Sequence, residues 1–337
     1  MNITINGETF DLNDRLQWAE TPVAAFLSEW TDNNDFVMGH TSGSTGAPKP
    51  LQLHKAAMEA SALRTNRFFG LKEGDRILLC LSTDYIAGKM MVVRAIVGGL
   101  NLVVGSTSSL PLWTGSVRFA AMVPMQVRCL MDDAAGRTRF TSIDTLIIGG
   151  SPLDSSLRQD LRKLGRPRCF VTYGMTETMS HVAVADLNET TDSLLYKALP
   201  DVTFSADKRG CLVINAPYLL AEPLVTNDVV ELASATAFRW CGRWDNVVIS
   251  GGIKLFPESI ERHIAPFINL PFFLCGVPDA KLGYKLVMKI EGFPWNDSDL
   301  QIFKDTLKNH LGRFECPRDF IFMNEFRRTS SGKIIRA

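Results

Sequence analysis

Apolar positions along the chain fall into two rhythms, short runs of strand length and longer stretches at helical spacing, and the two take turns. His54 to Phe69 carries Ala57, Met58, Ala60, Ala62, Leu63 and Phe68 with few breakers and closes on Gly70, which predicts a helix with a glycine stop. Arg76 to Leu81 then reads as a strand, Ile86 to Val97 as a helix and Leu102 to Val104 as a strand. Met125 to Met131, Leu146 to Ile148, Asp154 to Leu164 and Cys169 to Tyr173 continue as helix, strand, helix and strand. Such alternation predicts an α/β fold, with a parallel or mixed sheet covered on both faces. Ahead of it, Asn6-Gly7 between short alternating segments predicts a hairpin, and Trp18 to Trp30 an amphipathic helix.

Gly210 to Asn215 and Val229 to Leu232 predict later strands in a more β-rich part. A short polar segment, Cys241 to Asn246, then breaks the pattern. Beyond it the spacing predicts a helix at Pro257 to Ala265, strands at Phe272 to Val277 and Leu286 to Ile290, a helix at Asp297 to Leu311 and a last strand at Phe320 to Met323. The expected organisation is a large layered α/β domain over residues 1–243 and a small α+β domain over residues 244–337, the second of about 90 residues and able to hold its own core.

Composition narrows the class. The chain has 337 residues, 46% hydrophobic and 21% charged, with 36 Lys+Arg against 36 Asp+Glu. A zero net charge gives no reason to expect a nucleic-acid surface or a polybasic membrane patch. No basic segment leads into an apolar core at the amino terminus, and the apolar stretch from Met90 to Val104 is interrupted by Arg94 and Asn101, so no membrane insertion is expected and a cytoplasmic location is. The seven cysteines are widely scattered with no Cys-x-x-Cys, and the five histidines form no His-x-x-x-His pair. Reduced thiols and no structural metal follow.

One stretch changes the picture from fold to chemistry. His40 to Pro50 sets Thr41, Ser42, Ser44 and Thr45 around Gly43 and Gly46 and adds Lys49. Small glycines let backbone N–H groups approach phosphate oxygens, hydroxyls donate, and a lysine brings positive charge. Phe36 to Met38 before it suits a buried strand and a helical pattern begins near Leu53, which places the loop between strand and helix. It is not a Walker A loop, because Gly43 and Gly46 are two residues apart and Ala47-Pro48 precede the lysine. Taken alone, such a Ser/Thr/Gly-rich loop is more often a plain turn than a nucleotide site.

The loop resembles the phosphate loop of the adenylate-forming superfamily, which includes acyl-CoA synthetases, luciferases and peptide-synthetase adenylation domains. Four further stretches match that family's motifs in order. Ile147-Ile148-Gly149-Gly150-Ser151 resembles the turn along the adenine, and Tyr173-Gly174-Met175-Thr176-Glu177 the segment in which, by resemblance, Tyr173 stacks on adenine, Thr176 bonds the α-phosphate and Glu177 helps hold Mg²⁺. Thr226-Asn227-Asp228 stands where relatives usually have Thr-Gly-Asp. Asn tolerates positive φ, so the turn is expected to survive, and Asp228 to accept the ribose hydroxyls. Cys241 to Glu261 implies Arg243 at ribose or phosphate, Asp245 as the interdomain hinge, and Gly251, Gly252 and Lys254 at the thioester step. Pro257 and Glu258 also suit a plain helix start. Arg328 to Arg336 matches the terminal lysine motif, with Lys333 as the catalytic lysine aimed at the charge that develops when a carboxylate attacks the α-phosphate.

Relatives are usually longer ahead of the phosphate loop, so a shortened amino-terminal part is expected. What the resemblance implies is ATP, Mg²⁺ and CoA as cofactor and co-substrates, a small carboxylic acid as substrate, and an assembly that admits a homodimer. Ser82 to Met90 and Thr178 to His181 further resemble 2-succinylbenzoate–CoA ligases of menaquinone biosynthesis. Their acid keeps a second carboxylate that needs a cation or donors, for which Lys89 or Arg94 are candidates, with Tyr85 and His181 as further pocket residues. A ligase for another aryl or short-chain acid, an enzyme loading a carrier protein, and a silent nucleotide-binding homologue are the alternatives.

Overall fold

The computed structural model describes residues 1–40, 50–189, 194–328 and 334–336. The first half of the chain forms β1 (Asn2–Ile5), β2 (Glu8–Asp11), α1 (Arg15–Trp18), α2 (Ala24–Thr31), β3 (Phe36–His40), β4 (Pro50–His54), α3 (Lys55–Phe68), β5 (Arg76–Leu79), α4 (Ile86–Gly98), β6 (Asn101–Val104), β7 (Val117–Met122), α5 (Pro124–Asp132), α6 (Ala134–Phe140), β8 (Ile143–Ile148), α7 (Ser155–Leu164) and β9 (Arg168–Gly174). The second half adds β10 (His181–Asp186), β11 (Leu195–Ala198), β12 (Thr203–Ala206), β13 (Cys211–Asn215), β14 (Leu224–Ser234), β15 (Ala237–Arg243), β16 (Val248–Ser250), β17 (Ile253–Leu255), α8 (Pro257–Ile264), β18 (Phe272–Asp279), β19 (Gly283–Glu291), α9 (Asp297–His310) and β20 (Asp319–Met323).

Thirteen of these strands join in one sheet, in the order β12-β13-β14-β15-β11-β10-β9-β8-β7-β5-β6-β1-β2. From β1 to β9 the neighbours run parallel, and both flanks are antiparallel. The period of two along each strand sorts its side chains between two cores. Ile77, Leu79, Phe119, Ile147 and Phe170 point to the face covered by α3 and α4, while Leu78, Ala120, Leu146, Ile148 and Val171 point to the face covered by α5, α6 and α7. The mixed sheet covered on both faces is therefore as the alternation predicts.

The antiparallel flank does not continue flat. Tyr173 on β9 and Asp228 on β14 are four strand steps apart, about 19 Å in a flat sheet, yet their side chains meet at 2.7 Å. The flank curls back over its own core, which is built around Phe204, Ile214 and Phe238. After β15 the chain enters a second, five-stranded sheet, β17-β16-β19-β18 with β20 on β19, whose core of Leu274, Leu286, Met288, Phe303 and Leu307 draws only on residues beyond 247.

Local physics accounts for the elements. Asn6 (φ 51°) and Gly7 (φ 92°) make the left-handed two-residue turn of the first hairpin, as predicted. The predicted helix from Trp18 to Trp30 is instead two short helices, α1 and α2, parted at Thr21-Pro22, where proline has no N–H to continue the ladder. The helix expected from His54 begins one residue later, and β4 precedes it. Residues 41–49 thus connect two antiparallel strands, β3 and β4, rather than a strand and a helix. Leu51 and Leu53 alternate at strand period, so the apolar residue near which the helical pattern is expected to begin, Leu53, belongs to the strand.

Candidate nucleotide site

The predicted residues divide by where the structure places them. Thr41, Ser42, Gly43, Ser44, Thr45, Gly46 and Lys49 of the loop, and Lys333 of the terminal motif, lie outside the described residues. The motifs around Gly149, Tyr173, Asp228 and Arg243 lie where the parallel strands end and the curled flank begins, while Gly251 to Lys254 belong to the second sheet. Gly149, Gly150 and Ser151 follow β8, and a side chain on Gly149 would collide with Thr172 of β9. Gly174 ends β9, and a side chain there would strike the backbone of Ser180 and His181. Both glycines are explained by close packing at the ends of neighbouring strands.

Asp228, 7% exposed, is the hub of the site. Its Oδ2 accepts the Tyr173 hydroxyl at 2.7 Å and its Oδ1 the Trp240 indole N–H at 3.1 Å, with the Arg243 guanidinium 3.7 Å away. Burial, then the charge of Asp228, pushes the Tyr173 phenol well above its ordinary pKa, so it stays a donor. The Tyr173 ring packs edge-on against Phe238 and Tyr196, at 5.0 and 5.8 Å between centroids. A carboxylate accepts at about four lone-pair positions, so Asp228 keeps capacity for a sugar diol. Asn227 differs from the expectation: its φ is not positive, and it lies extended within β14, its side chain bonded to Arg209 at 3.0 Å and to Asp245 at 3.5 Å.

Thr176, 6% exposed, and Glu177 form a short 3-10 turn after Gly174. Met179 follows with φ 61° and ψ −36°, and Ser180 N–H bonds the Thr178 carbonyl at 2.6 Å. That is a γ-turn with positive φ, a strained conformation for a residue with a side chain. It aims Ser180 Oγ at the Arg94 guanidinium, 3.3 Å away, and at Ser61 Oγ, 3.0 Å away. Sequence reasoning did not single out Met179 or Ser180, and a methionine in a positive-φ turn carries no compositional signal.

The two cations proposed for the acyl pocket separate cleanly. Lys89 is buried but paired with Glu29 at 2.6 Å and lies over the Phe26 ring. Arg94, 2% exposed, makes no ion pair with any described carboxylate. Among the described residues its donors meet only Met91 Sδ at 3.4 Å and Ser180 Oγ, and its Nε has no partner. Burial alone lowers its pKa to about 10, which leaves it charged at neutral pH. His181 is also buried with an unpartnered Nε2, and burial together with the charge of Arg94 lowers its pKa to about 3, so it is neutral. Asn66 adds a third orphan, its Oδ1, while its Nδ2 bonds the Arg94 carbonyl. Tyr85 precedes the same helix and is 71% exposed.

Glu177 is half-buried and makes no ion pair with a described residue. No group of three His, Cys, Asp or Glu able to hold a metal exists among the described residues. A single carboxylate fits Mg²⁺, which keeps most of its shell for water and phosphate oxygens and arrives with them. In the second sheet, Gly251 (φ 57°) and Gly252 (φ 86°) form the two-residue turn between β16 and β17, so the glycine pair has a local cause. Lys254 on β17 is exposed and lies 5.1 Å over the Trp244 ring. Arg336, beyond the terminal lysine, is clamped by Glu261 of α8 through two bonds of 2.7 and 2.6 Å.

The family model for AMP-binding enzyme matches residues 2–203, more than half of the chain. A crystal structure of an acyl-CoA synthetase (AMP-forming)/AMP-acid ligase II-like protein from Dyadobacter fermentans is 34% identical, with a TM-score of 0.63 over 94% of this chain and 93% of that one. The 2-succinylbenzoate–CoA ligase of Lactococcus lactis is 24% identical over 95% of this chain and 74% of its own length. o-Succinylbenzoate CoA synthetase of Bacillus subtilis, in complex with its acyl-adenylate intermediate, shares the fold at 21% identity and a TM-score of 0.75, over 89% of this chain and 67% of that one. With the ordered motifs, the Asp228 hub and a family model covering most of the chain, this protein belongs to the AMP-binding enzyme family, as an adenylate-forming ligase.

Proposed function

We propose that this chain is an ATP-dependent acid–thiol ligase that converts a carboxylic acid first to an acyl-adenylate and then to an acyl-CoA, and that its acid is 2-succinylbenzoate, an aromatic acid with a second carboxylate. The observation that supports the choice of acid is Arg94, a buried guanidinium without a counter-ion among the described residues, beside the Thr176–Glu177 turn. An isolated charge in a protein interior is costly unless it is paired. A substrate carboxylate supplies the missing partner, with Ser180 and the neutral imidazole of His181 beside it. Lys89 is excluded from that role by Glu29.

In the first half-reaction a carboxylate oxygen of the acid attacks the α-phosphorus of ATP and pyrophosphate leaves. Asp228 holds the ribose, with Tyr173 and Trp240 fixing its carboxylate. Glu177 holds Mg²⁺, which neutralises phosphate charge when bound. Lys333, in this reading, faces the developing charge. In the second, the CoA sulfur attacks the acyl carbonyl, its proton goes to solvent, and AMP leaves with the bonding pair. We place the boundary of the moving unit at residues 244–337, with Asp245 as its hinge, so that Lys333 serves the first step and the Gly251–Lys254 turn the second.

The test is pyrophosphate release across a panel of mono- and dicarboxylic acids, with and without CoA. Aromatic dicarboxylates should be used best and AMP formation should be completed by CoA. Equal use of monocarboxylates would refute the choice of acid, and no AMP with any acid would refute the ligase reading.

A further inference from the structure

The chain passes between its two large sheets once, through the 3-10 turn Trp244–Asn246 that joins β15 to β16. Asp245 in that turn is gripped on both carboxylate oxygens. Oδ2 accepts Arg243 Nη2 at 3.0 Å, and Oδ1 accepts Asn227 Nδ2 at 3.5 Å. Asn227 Oδ1 in turn accepts Arg209 Nη1 at 3.0 Å, and Arg209 is fixed by Asp207 at 2.8 Å and by the Thr226 carbonyl at 3.3 Å. The ring of Trp244, beside Asp245, has the Arg209 guanidinium 5.8 Å and the Lys254 ammonium 5.1 Å from its centroid. One grip leads through Arg243 to Asp228, and the other through Asn227 and Arg209 to the turn between β12 and β13. Both end in the large sheet.

We propose that Asn227 and Arg209 are positioning residues that tether Asp245 and so hold residues 244–337 in the orientation seen here. A glycine at position 227 would leave the second grip unmade. Rotation at or before the N–Cα bond of Asp245 carries its side chain away from Asn227 and breaks the contact between them. That contact is long and exposed, so its effect is a few-fold rather than absolute. The tether rests on the two-step reading above, in which the two half-reactions need different orientations.

The experiment compares Asn227→Gly, Asn227→Asp, Arg209→Met and Asn227→Gln in the full-length enzyme. Amide hydrogen exchange at residues 244–247 should rise at least threefold in Asn227→Gly and more in Asn227→Asp, whose carboxylate would repel Asp245, while β8 and β9 keep their protection. The ratio of adenylate formation to thioester formation should change at least threefold, the two rates moving in opposite directions, and Asn227→Gln should restore it in part. Unchanged exchange at 244–247, or equal shifts in both half-reactions, would overturn the tether. If the wild type forms no AMP with any acid, the ligase reading fails, and the exchange data still decide whether Asp245 is tethered.

Discussion

Replacing Arg94 with methionine separates a substrate-binding cation from a structural one, because the two roles predict opposite changes in the free protein. The side chain is 2% exposed and its described partners are a thioether, at 3.4 Å, and a hydroxyl, at 3.3 Å, neither of which neutralises it. If a substrate carboxylate is the absent partner, removing the cation costs about 3–5 kcal/mol of binding, the penalty for leaving a buried charge unpaired. That is two to three and a half orders of magnitude in kcat/KM, at about 1.4 kcal/mol per tenfold. In the free protein the sign reverses. Methionine of similar length removes a charge that no described residue offsets, and apolar replacement of buried ions stabilises by about 1–4 kcal/mol. Steady-state pyrophosphate release with 2-succinylbenzoate and with 3-benzoylpropionate, which lacks one carboxylate, measures the first effect, and urea unfolding the second. The diacid should lose at least a hundredfold, the monoacid little, and the midpoint should not fall. A variant that unfolds earlier and keeps its KM for the diacid within twofold would refute the reasoning.

Other consequences follow from the same geometry. Tyr173→Phe removes a charge-assisted bond to Asp228 and should lower stability by about 1.5–3 kcal/mol in urea unfolding, while weakening AMP binding by calorimetry. His181, with a folded pKa of about 3 against an ordinary 6.5, binds its proton more readily when unfolded. The stability it contributes is therefore complete above pH 6.5 and is lost as pH falls toward 3, at about 1.4 kcal/mol per unit. Unfolding free energies at pH 7.5 and 5.0 should show this loss in the wild type and a smaller one in His181→Gln. Lys333→Ala should abolish adenylate formation and spare thioester formation from presynthesised acyl-adenylate, read by separate assays of the two steps.

The parallel half of the fold was legible because β5, β6, β8 and β9 are short apolar runs set between helices with clear stops. β7 and β10 were not read. Their sequences, Val-Arg-Phe-Ala-Ala-Met and His-Val-Ala-Val-Ala-Asp, are rich in alanine, which has weak β propensity, and β10 hides directly behind the Thr176–Glu177 motif. The motifs singled out Asp228 and Tyr173 as candidates, and the structure brings their side chains together. Their direct bond was not readable, since it depends on the curl of strands 55 residues apart. Nor could spacing choose between Lys89 and Arg94 on one helix. What separates the two is Glu29, which pairs with Lys89 and lies on α2, 60 residues away. The Gly251-Gly252 pair, which the motif alone assigns to the thioester step, is also accounted for locally as a two-residue hairpin turn.

The decisive measurement is a two-stage incubation of the wild-type enzyme followed by mass spectrometry. With 2-succinylbenzoate and MgATP but no CoA, it should accumulate one acyl-adenylate per active site and release one pyrophosphate. Adding CoA should convert that adenylate to acyl-CoA and AMP in equal amounts. Hydrolysis of ATP to ADP, or no adenylate with the diacid before CoA is added, would contradict the assignment.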